Sequence, residues 1–411
     1  MASPRKILFL AEAVTLAHVA RPIALARALD PSRHSVAIAC DSRYQKFLNG
    51  GPWQNLPLTS IPSERFLRAL ADGAPVYDAA TLRAYVCDDL ALIERFEPDL
   101  IVGDFRLSLS ISARLANVPY ATITNAYWSP FFRVDHFPLP SLPITKRLPL
   151  PLAQALFRLA QPLAFRLHCQ PLNRVRREHG LPSLGSDLRR VYTDADFTLY
   201  ADIPSLFPMD ALPPTHHYLA PILWSPPVTL PDWWARLPGD QPVIYVTLGS
   251  SGQARLLPTV FEALADLPVT VIAATAGAPT APPLPANVRV ADYLPGTEAA
   301  RRAQLVICNG GSLTSQQALA AGVPVLGIAG NMDQFLNMNP ITAAGAGLTL
   351  RADRLTATAV RHCARQLIDT PAPPAAAKAI ARDMASTETT PIAELFDSFI
   401  QTSPTRKGKA R

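Results

Sequence analysis

An apolar run from Leu305 to Cys308 meets Asn309-Gly310-Gly311, and a helical pattern then continues through Ala321. That order of strand, glycine turn and helix aims backbone N–H groups at a helix N-terminus, where a phosphate can sit. Gly322-Val323-Pro324, a second apolar run to Ile328 and the polar pair Asp333-Gln334 complete the block. A carboxylate and an amide can each hold paired hydroxyls, and Asp333 could equally cap the helix that follows. Thr247-Leu248-Gly249-Ser250-Ser251-Gly252 is another turn between a strand and a helix. Its glycines admit a phosphate close to the backbone and its serines offer hydroxyls, although alone it is an ordinary connection. In the first half of the chain, His18 stands just after an apolar run, at a helix start, where α/β proteins bind ligands. Asp104 ends another such run. A carboxylate on one imidazole nitrogen fixes the tautomer and stabilises the imidazolium, which suits proton transfer. The same Asp could instead cap the next helix.

These residues need a frame. Lys6 to Ala11 reads as a buried parallel strand, Pro22 to Leu29 as a helix and Ser35 to Ala39 as the next strand, a βαβ unit. Pro98 to Asp104, Ser108 to Ala116 and Tyr120 to Thr124 repeat the alternation. Asn173 to Gly180 continues a helix and Phe197 to Tyr200 is a short strand. Prolines cluster between Pro221 and Pro242, and the pattern then restarts at Val243 to Leu248. The expected division is an N-terminal domain over 1–220, a Pro-rich linker over 221–242 and a second domain over 243–385. A helix over 386–402 and a basic tail over 403–411 follow. The fold class is α/β, with parallel sheets covered by helices.

The residues carry a resemblance. Gly310, Gly311, Thr314, Ala318-Leu319, Gly322-Val323-Pro324, Asp333-Gln334 and Asn337 fall at the spacings of a known donor-binding motif. His18, Pro22 and Leu25-Ala26 match a second motif. The chain thus resembles GT-B fold glycosyltransferases of the UDP-glycosyltransferase superfamily, most sharply over 293–337 and 18–26. The resemblance implies two Rossmann-like doubly wound domains facing across a cleft, with the last helix crossing back onto the first. It implies that His18 is the base taking the acceptor's proton and that Asp104 supports it. Gly249, Ser250, Ser251, Gly310, Gly311, Ser312 and Thr314 would face the diphosphate, Tyr293 would stack on the base, and Asp333 and Gln334 would hold the sugar. Ala17 replaces a usual Gly and Gly296 lacks a side chain often found there, while two further departures bear on the donor: Asn309 replaces a phosphate-contacting His, and Gln317 a Glu on the ribose hydroxyls. Asn can donate an N–H but carries no charge, and Gln offers one acceptor where Glu offers two charged ones. Neutral drift, a retuned donor and lost catalysis all remain open on these two.

The implied reaction is inverting transfer of a hexose or deoxyhexose from a UDP- or dTDP-linked donor to a hydroxyl of a small hydrophobic acceptor. The rivals are a non-catalytic nucleotide-sugar-binding scaffold and a nucleotide-sugar epimerase of the same fold. No cofactor beyond the co-substrate is expected. Asp194-Ala195-Asp196 has the D-x-D form that can hold a divalent cation, but it lies far from the donor block in sequence, and no metal is expected.

Composition narrows the remaining classes. At 411 residues, with 49% hydrophobic and 17% charged residues, the chain suits two globular domains. Four of its six net positive charges lie at Arg406, Lys407, Lys409 and Arg411, leaving about +2 for the body, so nucleic-acid binding gains no support. Five scattered cysteines without a C-x-x-C pair fit a reducing cytoplasm. No signal peptide or membrane span is expected. The stretch from Pro130 to Pro171 mixes Pro, Leu and Phe with Lys146, Arg147, Arg158 and Arg166. It reads as a helical insertion packing on its own domain, an apolar acceptor pocket, or a face for peripheral contact with the inner side of a membrane.

Overall fold

The computed structural model describes residues 3–249, 253–279 and 283–403. The chain forms two compact units. One comprises residues 1–135, 156–220 and 388–411, and the other residues 136–155 and 221–387.

The first unit is built on a parallel sheet in the order β3-β2-β1-β4-β5-β6-β7. In chain order its elements are β1 (Arg5–Ala11), α1 (Ala17–Arg27), β2 (His34–Cys40), β3 (Gln54–Pro57), α2 (Ser63–Asp72), α3 (Ala79–Phe96), β4 (Leu100–Asp104) and α4 (Leu109–Leu115). β5 (Tyr120–Thr124), α5 (Leu150–Glu178, of which residues 156–178 belong to this unit), α6 (Leu188–Tyr192), β6 (Phe197–Ala201) and β7 (His216–Leu219) follow. Ile7 through Leu10 are fully buried, which is why β1 reads as an unbroken apolar run rather than an alternation. The order reverses at β1, whose register sets Ala11 beside Asp104 of β4. A sheet of this kind opens a crevice at the carboxyl ends of the strands where the order reverses.

At the far edge of this sheet, Nδ1 of His216 lies 2.7 Å from the Tyr200 hydroxyl. Burial, with the neighbouring His217 second, pushes the His216 imidazole down from 6.5 to about 4. Between these values the unfolded chain takes up a proton that the folded one refuses, so stability is full above about pH 6.5 and falls towards pH 4. Urea titrations across this range should show a loss of about 1–2 kcal/mol that His216→Gln removes. An equal loss in both proteins would refute the assignment.

The second unit holds a parallel sheet in the order β10-β9-β8-β11-β12-β13. Its elements are β8 (Val243–Thr247), α7 (Leu257–Leu264), β9 (Thr270–Ala274), β10 (Val288–Ala291), α8 (Gly296–Arg302), β11 (Leu305–Cys308), α9 (Ser312–Ala320) and β12 (Val325–Ala329). α10 (Met332–Ala343), β13 (Gly347–Arg351), α11 (Ala357–Asp369) and α12 (Ala372–Ser386) complete it. Here the order reverses at β8, and Thr247 pairs with Cys308. The segment 136–155 is tied into this unit by the Ser141 N–H to the Gly330 carbonyl (2.8 Å) and by Arg351 to the Leu139 carbonyl (2.7 Å). The last helix, α13 (Ile392–Thr402), belongs to the first unit, where Phe399 stacks on Phe197 with ring centroids 3.8 Å apart.

Candidate functional site

In the first unit, His18 sits in the first turn of α1, directly beyond β1. Pro22 has no N–H to bond the His18 carbonyl four residues back, so the first turn lacks one helical rung. Nδ1 of His18 lies 2.7 Å from Oδ1 of the fully buried Asp104. Arg21 clamps the same carboxylate, donating from Nε to Oδ2 and from Nη2 to Oδ1, each at 2.7 Å. Arg21 Nη2 also lies 3.1 Å from His18 Nδ1, but both nitrogens are satisfied when each donates to Asp104. That arrangement puts the imidazole proton on Nδ1 and the lone pair on Nε2, the tautomer a proton acceptor needs.

The clamp extends further. Arg21 Nη1 donates to Asn125 Oδ1 at 3.0 Å, and Asn125 Nδ2 donates to Asp202 Oδ1 at 3.0 Å. Since Asp104 ends β4, Asn125 follows β5 and Asp202 follows β6, one hydrogen-bond chain ties His18 to three strand ends. Sequence reading missed Arg21, Asn125 and Asp202. The available signal was a single arginine inside the apolar pattern Val19-Ala20-Arg21-Pro22-Ile23.

The surroundings of His18 are aromatic. Phe105 stacks on its ring with centroids 4.8 Å apart and planes 14° from parallel. Phe105 has φ of +58°, a left-handed conformation that a bulky residue adopts only when its surroundings impose it. Tyr192, Phe66 and Tyr77 lie 5.6, 6.0 and 6.1 Å from the Phe105 ring. Beside them, buried Arg106 bonds Glu12 and Asp89 at 3.0 and 2.9 Å, fixing the chain just beyond β4. Burial pushes both of those carboxyls up, against the pull of Arg106.

In the second unit, the two glycine turns lie side by side at the reversal between β8 and β11. A Cβ placed on Gly249 would stand 3.5 Å from Asn309 Nδ2. Ser250, Ser251 and Gly252 lie outside the described residues. The glycine pair spends its own amides locally, the Gly311 N–H donating to Asn309 Oδ1 at 3.1 Å and the Gly310 N–H to Cys308 Sγ at 3.3 Å. Within α9 the Ser315 N–H bonds the Gly311 carbonyl, so the first-turn amides of Ser312, Leu313 and Thr314 come ahead of that rung. Those are the groups placed to meet an anion. Gly310 has φ of +79°, and a side chain there would meet Met338 at 2.9 Å. Buried Asn337 holds the turn by donating to the Gly310 carbonyl at 2.8 Å and to Ser315 Oγ at 2.9 Å.

Gln334 is engaged in a capping box at the start of α10. Its Oε1 accepts from the Gly330 N–H at 2.7 Å and the Asn331 N–H at 3.2 Å, which leaves its amide N–H₂ for a ligand. Asp333 lies half-buried in the same first turn, and Tyr293, half-buried, follows the edge strand β10. Gln317 is buried, and its Nε2 donates to the Trp224 carbonyl at 2.5 Å. A Cβ on Gly296 would come within 2.5 Å of Gln317 Oε1, so residues 296 and 317 share one small space. Gln317→Glu should therefore weaken the fold by about 1–3 kcal/mol, because a carboxylate cannot donate to that carbonyl. A urea midpoint matching wild type, with tightened UDP binding, would contradict this.

The D-x-D carboxylates have other work. Asp194 accepts from Arg114 at 2.9 Å and Arg176 at 2.6 Å, and Asp196 accepts from the Tyr120 N–H at 2.9 Å. Among the described residues no cluster of three or more His, Cys, Asp or Glu is assembled as a metal site.

Two parallel-sheet units, each with its polar loops at the point where strand order reverses, are the two halves of a GT-B fold. A family model described as the C-terminal domain of erythromycin biosynthesis protein CIII-like proteins matches residues 258–398. A PGL/p-HBAD biosynthesis rhamnosyltransferase of Mycobacterium bovis (strain BCG / Pasteur 1173P2) is 55% identical over 364 residues, 89% of this chain and 81% of its own. A PGL/p-HBAD biosynthesis glycosyltransferase of Mycobacterium tuberculosis (strain ATCC 25177 / H37Ra) is 54% identical over 368 residues, 90% of this chain and 86% of its own. Among solved structures, spinosyn rhamnosyltransferase SpnG complexed with thymidine diphosphate superposes with a TM-score of 0.68 at 20% identity, covering 96% of this chain and 99% of that one. The chain belongs to this glycosyltransferase family, and it is an enzyme.

Proposed function

We propose that this enzyme transfers a deoxyhexose or hexose, with inversion, from a dTDP- or UDP-linked donor to a hydroxyl of a hydrophobic acceptor. The carrying observation is the 2.7 Å contact of His18 Nδ1 with buried Asp104. It leaves Nε2 as the base that takes the acceptor's proton while the oxygen attacks C1 of the sugar from the face opposite the nucleotide. One displacement inverts the anomeric carbon. Alignment of the two substrates supplies much of the rate. The acceptor is assigned to residues 1–220, where the rings around Phe105 favour an apolar body on the hydroxyl.

The donor is assigned to residues 243–385. Its diphosphate meets the first-turn amides of α9 (Ser312 and Thr314 included), the Gly310-Gly311 backbone, Gly249 and Asn309 Nδ2. These oriented dipoles stabilise the leaving diphosphate without a metal ion. Tyr293 stacks on the base, and Asp333 with the Gln334 amide holds the sugar. Gln317, already bonded to Trp224, offers no carboxylate to a ribose 2′-hydroxyl, which favours a deoxyribose donor. The thymidine diphosphate named with the spinosyn rhamnosyltransferase and the rhamnosyltransferase named among the relatives support that preference. The setting is the cytoplasm, in keeping with five cysteines that pair with nothing.

The test is to incubate purified protein with dTDP- and UDP-sugars, with and without an apolar acceptor extract. Nucleotide should be released only with acceptor, and proton NMR of the product should show the anomeric centre inverted. Retention would overturn the single displacement. Calorimetry should show dTDP bound at least as tightly as UDP, and a preference for UDP of about a hundredfold would overturn the donor assignment.

A further inference from the structure

Among the exposed large apolar residues, four lie in one row on the part of α5 that belongs to the first unit. Leu156, Leu159, Leu163 and Leu167 are 42, 82, 59 and 45% exposed. At 100° per residue they fall within an arc of about 80°, a narrow stripe along the helix. Phe165, Cys169 and Leu172 of the same helix are buried, so α5 has a packed face and an apolar face turned to solvent. A protein surface seldom carries so continuous an apolar row without an occupant.

The charges on α5 indicate which occupant. The helix bears Arg158, Arg166, Arg174, Arg176 and Arg177, and its only acid is Glu178, its last residue. Arg174 and Arg176 are engaged with Glu178 and Asp194. Arg158 and Arg166 are exposed and pair with no carboxylate among the described residues. At 100° per residue Arg166 flanks the leucine stripe whereas Arg158 does not, and a second copy seated on the stripe would bring Arg166 there with no acid on either stripe to pair it. An anionic lipid surface answers both features, taking the leucines among its acyl chains and the Arg166 guanidinium group at its phosphates. No helix among the described residues is long and apolar enough to cross a membrane, so the contact would lie along the surface.

We propose that the Leu156–Leu167 face of α5 docks the enzyme on a bilayer containing anionic lipid. The proposal is independent of which residues perform the transfer. The full chain is sedimented with vesicles of phosphatidylcholine alone or mixed with phosphatidylglycerol. Wild type should pellet with the mixed vesicles and remain in solution with the neutral ones. The double variant Leu159→Glu, Leu163→Glu should bind the mixed vesicles about tenfold more weakly. These side chains are the most exposed of the row, so the fold should be unaffected, and transfer to a water-soluble acceptor without vesicles should equal wild type. Arg166→Glu should weaken binding to the mixed vesicles as well. Wild type left in solution with both lipids, or a leucine variant that pellets like wild type, would overturn the proposal. So would a wild-type dimer, by light scattering, that the leucine variant converts to monomer while neither binds vesicles.

Discussion

His18→Ala lowers the rate of transfer by about 10²–10⁴-fold while leaving the affinity for the nucleoside diphosphate within about threefold of wild type. The argument is local. The imidazole lies in the first unit, and every residue assigned to the diphosphate lies in the second. The substitution does not strand Asp104, because Arg21 still donates to both of its carboxylate oxygens. The fold therefore survives and the loss falls on chemistry. Single-turnover rates measured with saturating donor, beside calorimetric nucleotide affinities, separate the two effects. Full activity in the variant would remove His18 as the base.

Arg21→Met has the largest effect expected on stability, about 3–5 kcal/mol. It deletes both charge-assisted bonds to Asp104 and the bond to Asn125, leaving a fully buried carboxylate with only the imidazole. Such a charge is costly because removing one partner does not return the other to water. Arg21→Lys keeps the charge but cannot form the two-pronged contact, so it should lose less stability. Arg21 is a positioning residue. Where the variants stay folded, kcat should fall while the donor KM stays constant, and Lys should restore part of the loss. A urea midpoint for Arg21→Met equal to wild type would show that the clamp contributes nothing.

Much of this fold is legible in the chain because parallel strands buried on both faces read as apolar runs. Lys6 to Ala11 and Val243 to Leu248 are recognisable on that ground, and β1 and β8 lie there. The stretch 41–97 gave no such signal. There α3 carries buried Asp89 and Tyr85 among its apolar residues, which blurs the helical pattern until Arg106 supplies the missing partner. The pairing of His18 with Asp104 rests on register, since Ala11 lies beside Asp104 across β1 and β4. Spacing along the chain cannot report that. The role of Gln317 was further out of reach, because its partner carbonyl is 93 residues earlier. The glycine turn between β11 and α9 is visible in the sequence as Asn309-Gly310-Gly311. That the amides of Gly310 and Gly311 are spent on Cys308 and Asn309 is a detail of loop geometry.

The shared space of Gly296 and Gln317 has a consequence for how this enzyme can evolve or be engineered. A methyl group at 296 collides with the amide at 317, and an acid at 317 faces the Trp224 carbonyl. Each single step towards the more common arrangement is penalised before any benefit at the nucleotide can appear. The pair behaves as a latch with epistatic parts, so substitutions there should be tolerated only in libraries that vary both positions together.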